Sequence, residues 1–84
     1  MADTRTIIRE FILSQCMRGQ PPEALRDDAP LRPGILDSMA ALKLVDLIEH
    51  TAKIEIEHHQ LNDDNFGSVD AIVAFVEEQV AGRR

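Results

Sequence analysis

Apolar residues recur at helical spacing in three stretches of the chain, and each stretch predicts an amphipathic helix. The first helix is expected over residues 4–17, with Gly19 as a stop, because glycine tolerates the left-handed turn after a helix. Its apolar face consists of Ile7, Ile8, Phe11 and Ile12. The last helix is expected to begin at Ser68, a favourable N-cap residue. Its apolar stripe consists of Ile72, Val73, Val76 and Val80.

The middle helix is predicted over residues 39–52, a segment without glycine or proline, with Ser38 as its N-cap. Projection at about 100° per residue gives it one core face and one polar face. The core face consists of Ala41, Leu44, Val45, Leu47 and Ile48. The polar face consists of Lys43, Asp46, Glu49 and His50.

Met39 and Leu42 break this pattern, since both project with the polar side, next to Ser38. Exposed apolar residues beside a charged ridge are typical of a small docking surface. We therefore expect both side chains to lie exposed at the start of the helix. The alternative is that the long loop before the helix folds over them.

Two connections join these helices. Residues 20–37 form a long loop, and loops of such length in small domains are often functional. The entropy that this loop loses on packing is reduced by four prolines, Pro21, Pro22, Pro30 and Pro33. Its apolar residues suggest that it packs against the bundle: Leu25, Leu31, Ile35 and Leu36. In the second connection, extended chain is expected to pin Ile54 and Ile56 into the core, before one short helical turn at 61–65. The pattern predicts a single all-α domain over residues 1–84, with three main helices and one short helix.

Length and charge restrict the function of the chain. Its 84 residues leave no room for a substrate cleft walled on all sides, which argues against a self-sufficient enzyme. The net charge is −6, and residues 38–81 carry nine acidic against two basic side chains. Such a surface repels nucleic acid and anionic membranes and suits protein partners rich in Lys and Arg. Acidity for solubility alone is the alternative. We expect a cytoplasmic location, because Cys16 is the single cysteine and no signal peptide or membrane span is evident. The protein is expected to be a monomer.

Two chemical interpretations are rejected. His58 and His59 lie near several acids, but adjacent residues do not face one way on a helix and no second ligand pair follows, so no metal site is expected. Ser38 as a hydrolase nucleophile would need a nearby base, yet His50 lies about 18 Å further along the helix. Cys16 has no histidine near it in sequence. No catalytic residue is assigned.

The segment Asp37-Ser38-Met39 resembles the Asp-Ser-Leu motif of acyl carrier proteins, with Met in place of Leu. The resemblance continues through residues 44–49, 54–56 and 65–72, so that its stretches occur in order along the part of the chain from residue 37 onward. It implies a four-helix carrier whose phosphopantetheine arm, taken from coenzyme A, is attached to Ser38, with Asp37 helping to form the approach. It also implies that partner enzymes contact Met39, Leu42, Asp46 and Glu49.

The implied partners are a phosphopantetheinyl transferase, an adenylating acyl- or aminoacyl-ligase, and a downstream transferase or condensing enzyme. Residues 65–69 resemble aminoacyl-loading carriers more than fatty-acid carriers, so a small acid is expected as cargo. The chain departs from the family at Ala52 and Lys53, where an aromatic residue and a glycine are common, and at Lys43, where an acid is common. A different class of function stays open: an unmodified acidic adaptor that binds a basic protein.

Overall fold

Four α-helices account for most of the chain in the computed structural model, which describes residues 3–31 and 34–82. They are α1 (Thr4–Gln15), α2 (Ser38–Ala52), α3 (Asp63–Phe66) and α4 (Val69–Gly82), with single 3-10 turns at Pro22–Ala24 and His58–Gln60. The described ranges contain no β-strand, so the predicted all-α bundle is confirmed. They also contain no helix long and apolar enough to cross a bilayer. The predicted loop residue Pro33 lies outside the described residues.

The core is aliphatic and is supplied by every long helix and by the long loop. The buried members of the α2 stripe are as predicted, with Leu47 half-buried at its edge. Phe66 and Phe75 are buried and lie with ring centroids 5.6 Å apart, and they supply the aromatic part of the core. Val80 was predicted for the α4 stripe, but its side chain is 44% exposed, because the buried part of α4 ends one turn earlier at Val76.

The helix α1 ends at Gln15, two residues before the predicted end. The amides of Cys16 and Met17 both donate to the Ile12 carbonyl, which closes the last turn there. Gly19, with φ +85°, lies in the turn that follows, where the Gln20 amide donates to the Met17 carbonyl at 3.0 Å. Glycine therefore shapes the entrance to the loop and does not itself end the helix.

The start of α4 is as predicted. The Ser68 hydroxyl oxygen accepts a hydrogen bond from the Ala71 amide at 3.1 Å, so Ser68 caps the helix. The short helix α3 begins after Asn62, whose side chain accepts from the Asn65 amide at 2.9 Å. Gly67 joins the two helices in a tight passage, since a Cβ on this residue would lie 2.3 Å from the Asp63 carbonyl oxygen.

The long loop is attached to α1 and α4 through one carboxylate. Asp27 accepts from Arg5 at 2.6 Å and from Arg9, and Arg5 also donates to Asp70 at 2.6 Å. Burial alone would raise the pKa of Asp27, but the hydrogen bonds and charges of Arg5 and Arg9 outweigh burial and hold that pKa below its ordinary value near 3.8. The contribution of these contacts to the free energy of unfolding is therefore complete at pH values above 3.8. It is lost as the pH falls through the lower pKa that Asp27 has in the folded protein.

The helix α2 ends in a conformation that its sequence does not favour. Lys53 has φ +59° and ψ +43°, the left-handed region in which a side chain is strained and glycine is not. The helix therefore ends at Ala52, and Lys53 carries the backbone strain.

Replacement of Lys53 tests this strain. Lys53→Gly is expected to raise the free energy of unfolding by about 0.5–1 kcal/mol, because relief of the strain exceeds the added entropy of the unfolded chain. Lys43→Gly, an exposed change within α2, is the matched control and should lower it by about 1 kcal/mol. Chemical denaturation of the three proteins gives the comparison. A Lys53→Gly protein that is no more stable than the original chain would contradict the strain.

Candidate functional site

The start of α2 is one residue earlier than predicted. Asp37, in extended conformation, is the N-cap, and its carboxylate accepts from the Ala40 amide at 2.8 Å. The Asp37 carbonyl accepts from the Ala41 amide at 2.9 Å and so begins the helical ladder. The prediction that Ser38 caps the helix is therefore wrong. A carboxylate is the stronger acceptor at the positive end of a helix, and Asp37 takes the position that either residue type can fill.

Ser38 is consequently the first residue within the helix, and its side chain is exposed. Its hydroxyl makes no hydrogen bond to any of the described residues. A capping serine would instead have its oxygen engaged with a backbone amide. The one-residue shift thus leaves the hydroxyl free for chemistry, at the end of a helix that stabilises negative charge.

Two exposed apolar side chains follow this serine on the first turns of α2. Met39 is 69% exposed and Leu42 is 55% exposed, so the prediction that both lie outside the core is confirmed. The long loop, as far as the structure describes it, does not cover them. Lys43 and Asp46 are exposed on the same helix and supply charges of both signs.

Glu49 behaves differently from the other residues predicted for this surface. It is half-buried, and its carboxylate accepts from the Ile56 amide at 2.8 Å. This bond ties the segment after α2 back to the helix. Ile54 is buried in the core as predicted, whereas Ile56, predicted for the core as well, is only partly buried against it. One oxygen of Glu49 is therefore engaged within the protein.

Cys16 lies on the inner side of the same region. Burial, and after it the negative charge of Asp37, raises the pKa of the Cys16 thiol above its ordinary value of 9.0. A raised pKa leaves less of the thiol as the nucleophilic thiolate at neutral pH.

The histidines stay at the surface. His50 is in the last turn of α2, while His58 and His59 form most of an exposed 3-10 turn. Throughout residues 3–31 and 34–82, no group of three or more His, Cys, Asp or Glu side chains is placed to hold a metal ion.

A shallow apolar recess, open to solvent, lies near the far end of α2. Its walls come from α1, α2 and α4, and it is lined by Thr4, Ile7, Ile8, Ile48, Thr51, Ala52 and Val76. Ala52 contributes little volume here, at the position where the resembled family commonly has an aromatic residue. By helical rise this recess is about 20 Å from Ser38, so it is separate from the serine.

Two leucines of the long loop complete the core just before Ser38 in the chain. The sequence identified them only as apolar residues of a loop. Leu31 and Leu36 are fully buried, and the amides of Ile35 and Leu36 both donate to the Leu31 carbonyl. Their apolar character predicted packing, but nothing in the sequence indicated this hydrogen-bonded turn or its contact with α2.

Comparison with known proteins finds no match, either among protein-family models or among curated proteins.

Separate substitutions of Asp37 and Ser38 test which of the two residues caps α2. Asp37→Ala removes the acceptor of the Ala40 amide and should lower the free energy of unfolding by about 1 kcal/mol. Ser38→Ala removes an exposed hydroxyl without a partner and should change it by less than about 0.5 kcal/mol. Thermal and chemical denaturation measure both. The reverse order of effects would restore Ser38 as the cap.

Proposed function

We propose that this chain is a discrete acyl or aminoacyl carrier protein, modified with phosphopantetheine on Ser38. The observation that carries the proposal is the exposed, unpartnered Ser38 hydroxyl directly behind an Asp cap and beside an exposed apolar pair. The Asp-Ser-Met segment at this place supports it through its resemblance to the carrier motif. The chain itself is proposed to be a substrate and shuttle for enzymes, not an enzyme.

The residues at the start of α2 fit the attached group. In the modification step the Ser38 oxygen would form a bond to the phosphorus of the arm, and the pyrophosphate bond of coenzyme A would break. Adenosine 3′,5′-bisphosphate would leave, and the hydroxyl proton would pass to a base on the transferase. The new phosphodiester would carry negative charge beside the first-turn amides of α2, which favour an anion. Once attached, the arm supplies a terminal thiol that holds the cargo as a thioester.

Met39 and Leu42 are proposed as the apolar centre of the surface that partners contact, with Asp46 at its rim. Glu49 lies at the edge of this surface with one oxygen already engaged. The partners proposed are a phosphopantetheinyl transferase, an adenylating ligase and a downstream transferase or condensing enzyme. A cytoplasmic location, where coenzyme A is available, fits this set of partners.

A small acid, such as an amino acid, is the cargo that we favour over a long fatty acyl chain. Leu31, Leu36 and Leu44, which precede and follow Ser38 in the chain, are fully buried. The apolar recess lies at the far end of α2 and opens to solvent. Neither arrangement offers an enclosed space for a long chain next to the attachment point.

The alternative function is an acidic adaptor that binds a basic partner and is never modified. The exposed apolar pair and the negative net charge suit that function equally well. The adaptor makes no use of the Ser38 hydroxyl, and this difference separates the two proposals.

Intact mass provides the test. Incubation of the apo protein with coenzyme A and a broad-specificity phosphopantetheinyl transferase should add the mass of one phosphopantetheine group. Ser38→Ala should abolish the addition, because it removes the attacking oxygen, while Ser14→Ala, at an exposed serine of α1, should keep it. An unmodified original chain, or an addition that survives Ser38→Ala, would contradict the carrier function.

Truncation of the exposed pair tests the partner surface. Met39→Ala and Leu42→Ala should reduce kcat/KM for modification by about tenfold, equivalent to about 1.4 kcal/mol of contact with the transferase. Stability should change little, since both side chains are already in water. Val80→Ala is the matched control, because it removes an exposed apolar side chain on α4. If Met39→Ala or Leu42→Ala unfolds the protein, or if all three variants react alike, the surface is misassigned.

A further inference from the structure

We propose that Asp27 is a positioning residue for Ser38: it fixes the loop segment 27–31, and that segment determines where α2 begins. The part concerning chemistry at Ser38 rests on the proposed carrier function. The part concerning the start of α2 rests on the contacts alone.

The segment 27–31 is attached to the junction between α3 and α4 at both of its ends. At one end the Asp70 amide donates to the Asp27 carbonyl at 2.9 Å. At the other, the Leu31 amide donates to the Gly67 carbonyl at 2.8 Å. The tight passage at Gly67 directs that carbonyl, since the junction has no room for a Cβ. Two backbone bonds thus set the segment against the base of α4.

The Asp27 carboxylate fixes the same segment to α1. Arg5 bridges Asp27 and Asp70, and Arg9 bonds Asp27 together with the carbonyls of Leu25 and Pro22, at 2.7 and 2.8 Å. The two arginines are one turn apart on α1, so one carboxylate engages both. If Asp27 lost its charge, the guanidinium groups would keep only neutral acceptors and Asp70, and the segment would be held less firmly.

Leu31 transmits this attachment to the serine. Its side chain is fully buried, and its carbonyl accepts from the Ile35 amide at 3.0 Å and the Leu36 amide at 2.8 Å. Leu36 is also fully buried and is followed directly by the Asp37 cap and Ser38. Two backbone hydrogen bonds thus connect Leu31 to the residues just before the Asp37 cap. The Ser38 hydroxyl is thus exposed to solvent but has a defined position. A small displacement of a reacting group can slow a reaction strongly.

The experiment compares Asp27→Asn with Asp28→Asn. The two variants lose the same charge at adjacent positions, but Asp28 is exposed and pairs with Arg26 at 3.2 Å. Amide hydrogen exchange by NMR is measured at Leu36 and Ala40, which report the turn and the cap, and at Val76 as a reference in the core of α4. The rate of modification of Ser38 by the transferase is measured on the same samples.

For Asp27→Asn we expect exchange at Leu36 and Ala40 to accelerate about tenfold, with Val76 unchanged, because the loop opens locally while the bundle stays folded. We expect kcat/KM for modification to fall about tenfold in a sample that remains folded, and Asp27→Glu to restore part of it. Asp28→Asn should match the original chain in both measurements. Unchanged exchange at Leu36 and Ala40 in Asp27→Asn would overturn the proposal, and so would equal effects of the two variants.

Two further outcomes are decisive as well. If the original chain is not modified at all, the carrier function fails, while faster exchange at Ala40 alone still supports the role of Asp27 in placing α2. If Asp27→Asn does not fold, Arg5→Gln takes its place, because it removes the bridge to Asp70 and leaves the bond from Arg9 to Asp27 intact. Unchanged exchange in that variant would overturn the proposal.

Discussion

The Asp27 carboxylate binds two arginines of α1 while its backbone carbonyl binds the first turn of α4. The loop between α1 and α2 is long and proline-rich, and these polar contacts add to the burial of its leucines in holding it against the bundle. A chain of 84 residues has a modest core, so it depends on such polar attachments more than a large domain does. The ion contacts lie at the margin of the core, where desolvation is partial and the arginines also satisfy loop carbonyls.

The position of the serine follows from this attachment. Leu31 and Leu36 are buried on either side of a tight turn, and the chain leaves that turn directly into the Asp37 cap. Because Asp37 takes the capping role, the Ser38 hydroxyl is left without a partner at the surface. The carrier function that we propose would use this exposed oxygen, and it would use the exposed Met39 and Leu42 as an apolar surface for the modifying enzyme.

Much of this arrangement could be predicted from the sequence, for a simple reason. The core stripe of α2, the exposure of Met39 and Leu42, and the Ser68 cap all depend on residues close together in the chain, where helical periodicity and capping preferences apply. The choice between Asp37 and Ser38 as cap could not be predicted, since both are good capping residues. The exposure of Val80 could not be predicted either, because it depends on where the elements that cover α4 end. The sequence of α4 alone does not contain that information.

The Asp27 attachment could not be predicted either, because its partners Arg5, Arg9 and Asp70 are distant in sequence and look like ordinary surface charges. The most direct test is a double-mutant cycle of Arg9→Ala and Asp27→Ala, read as unfolding free energy beside the same cycle for the exposed pair Arg26 and Asp28. We predict a coupling of about 1 kcal/mol or more for Arg9 and Asp27, against a few tenths for the exposed pair. Equal couplings in the two cycles would contradict the account.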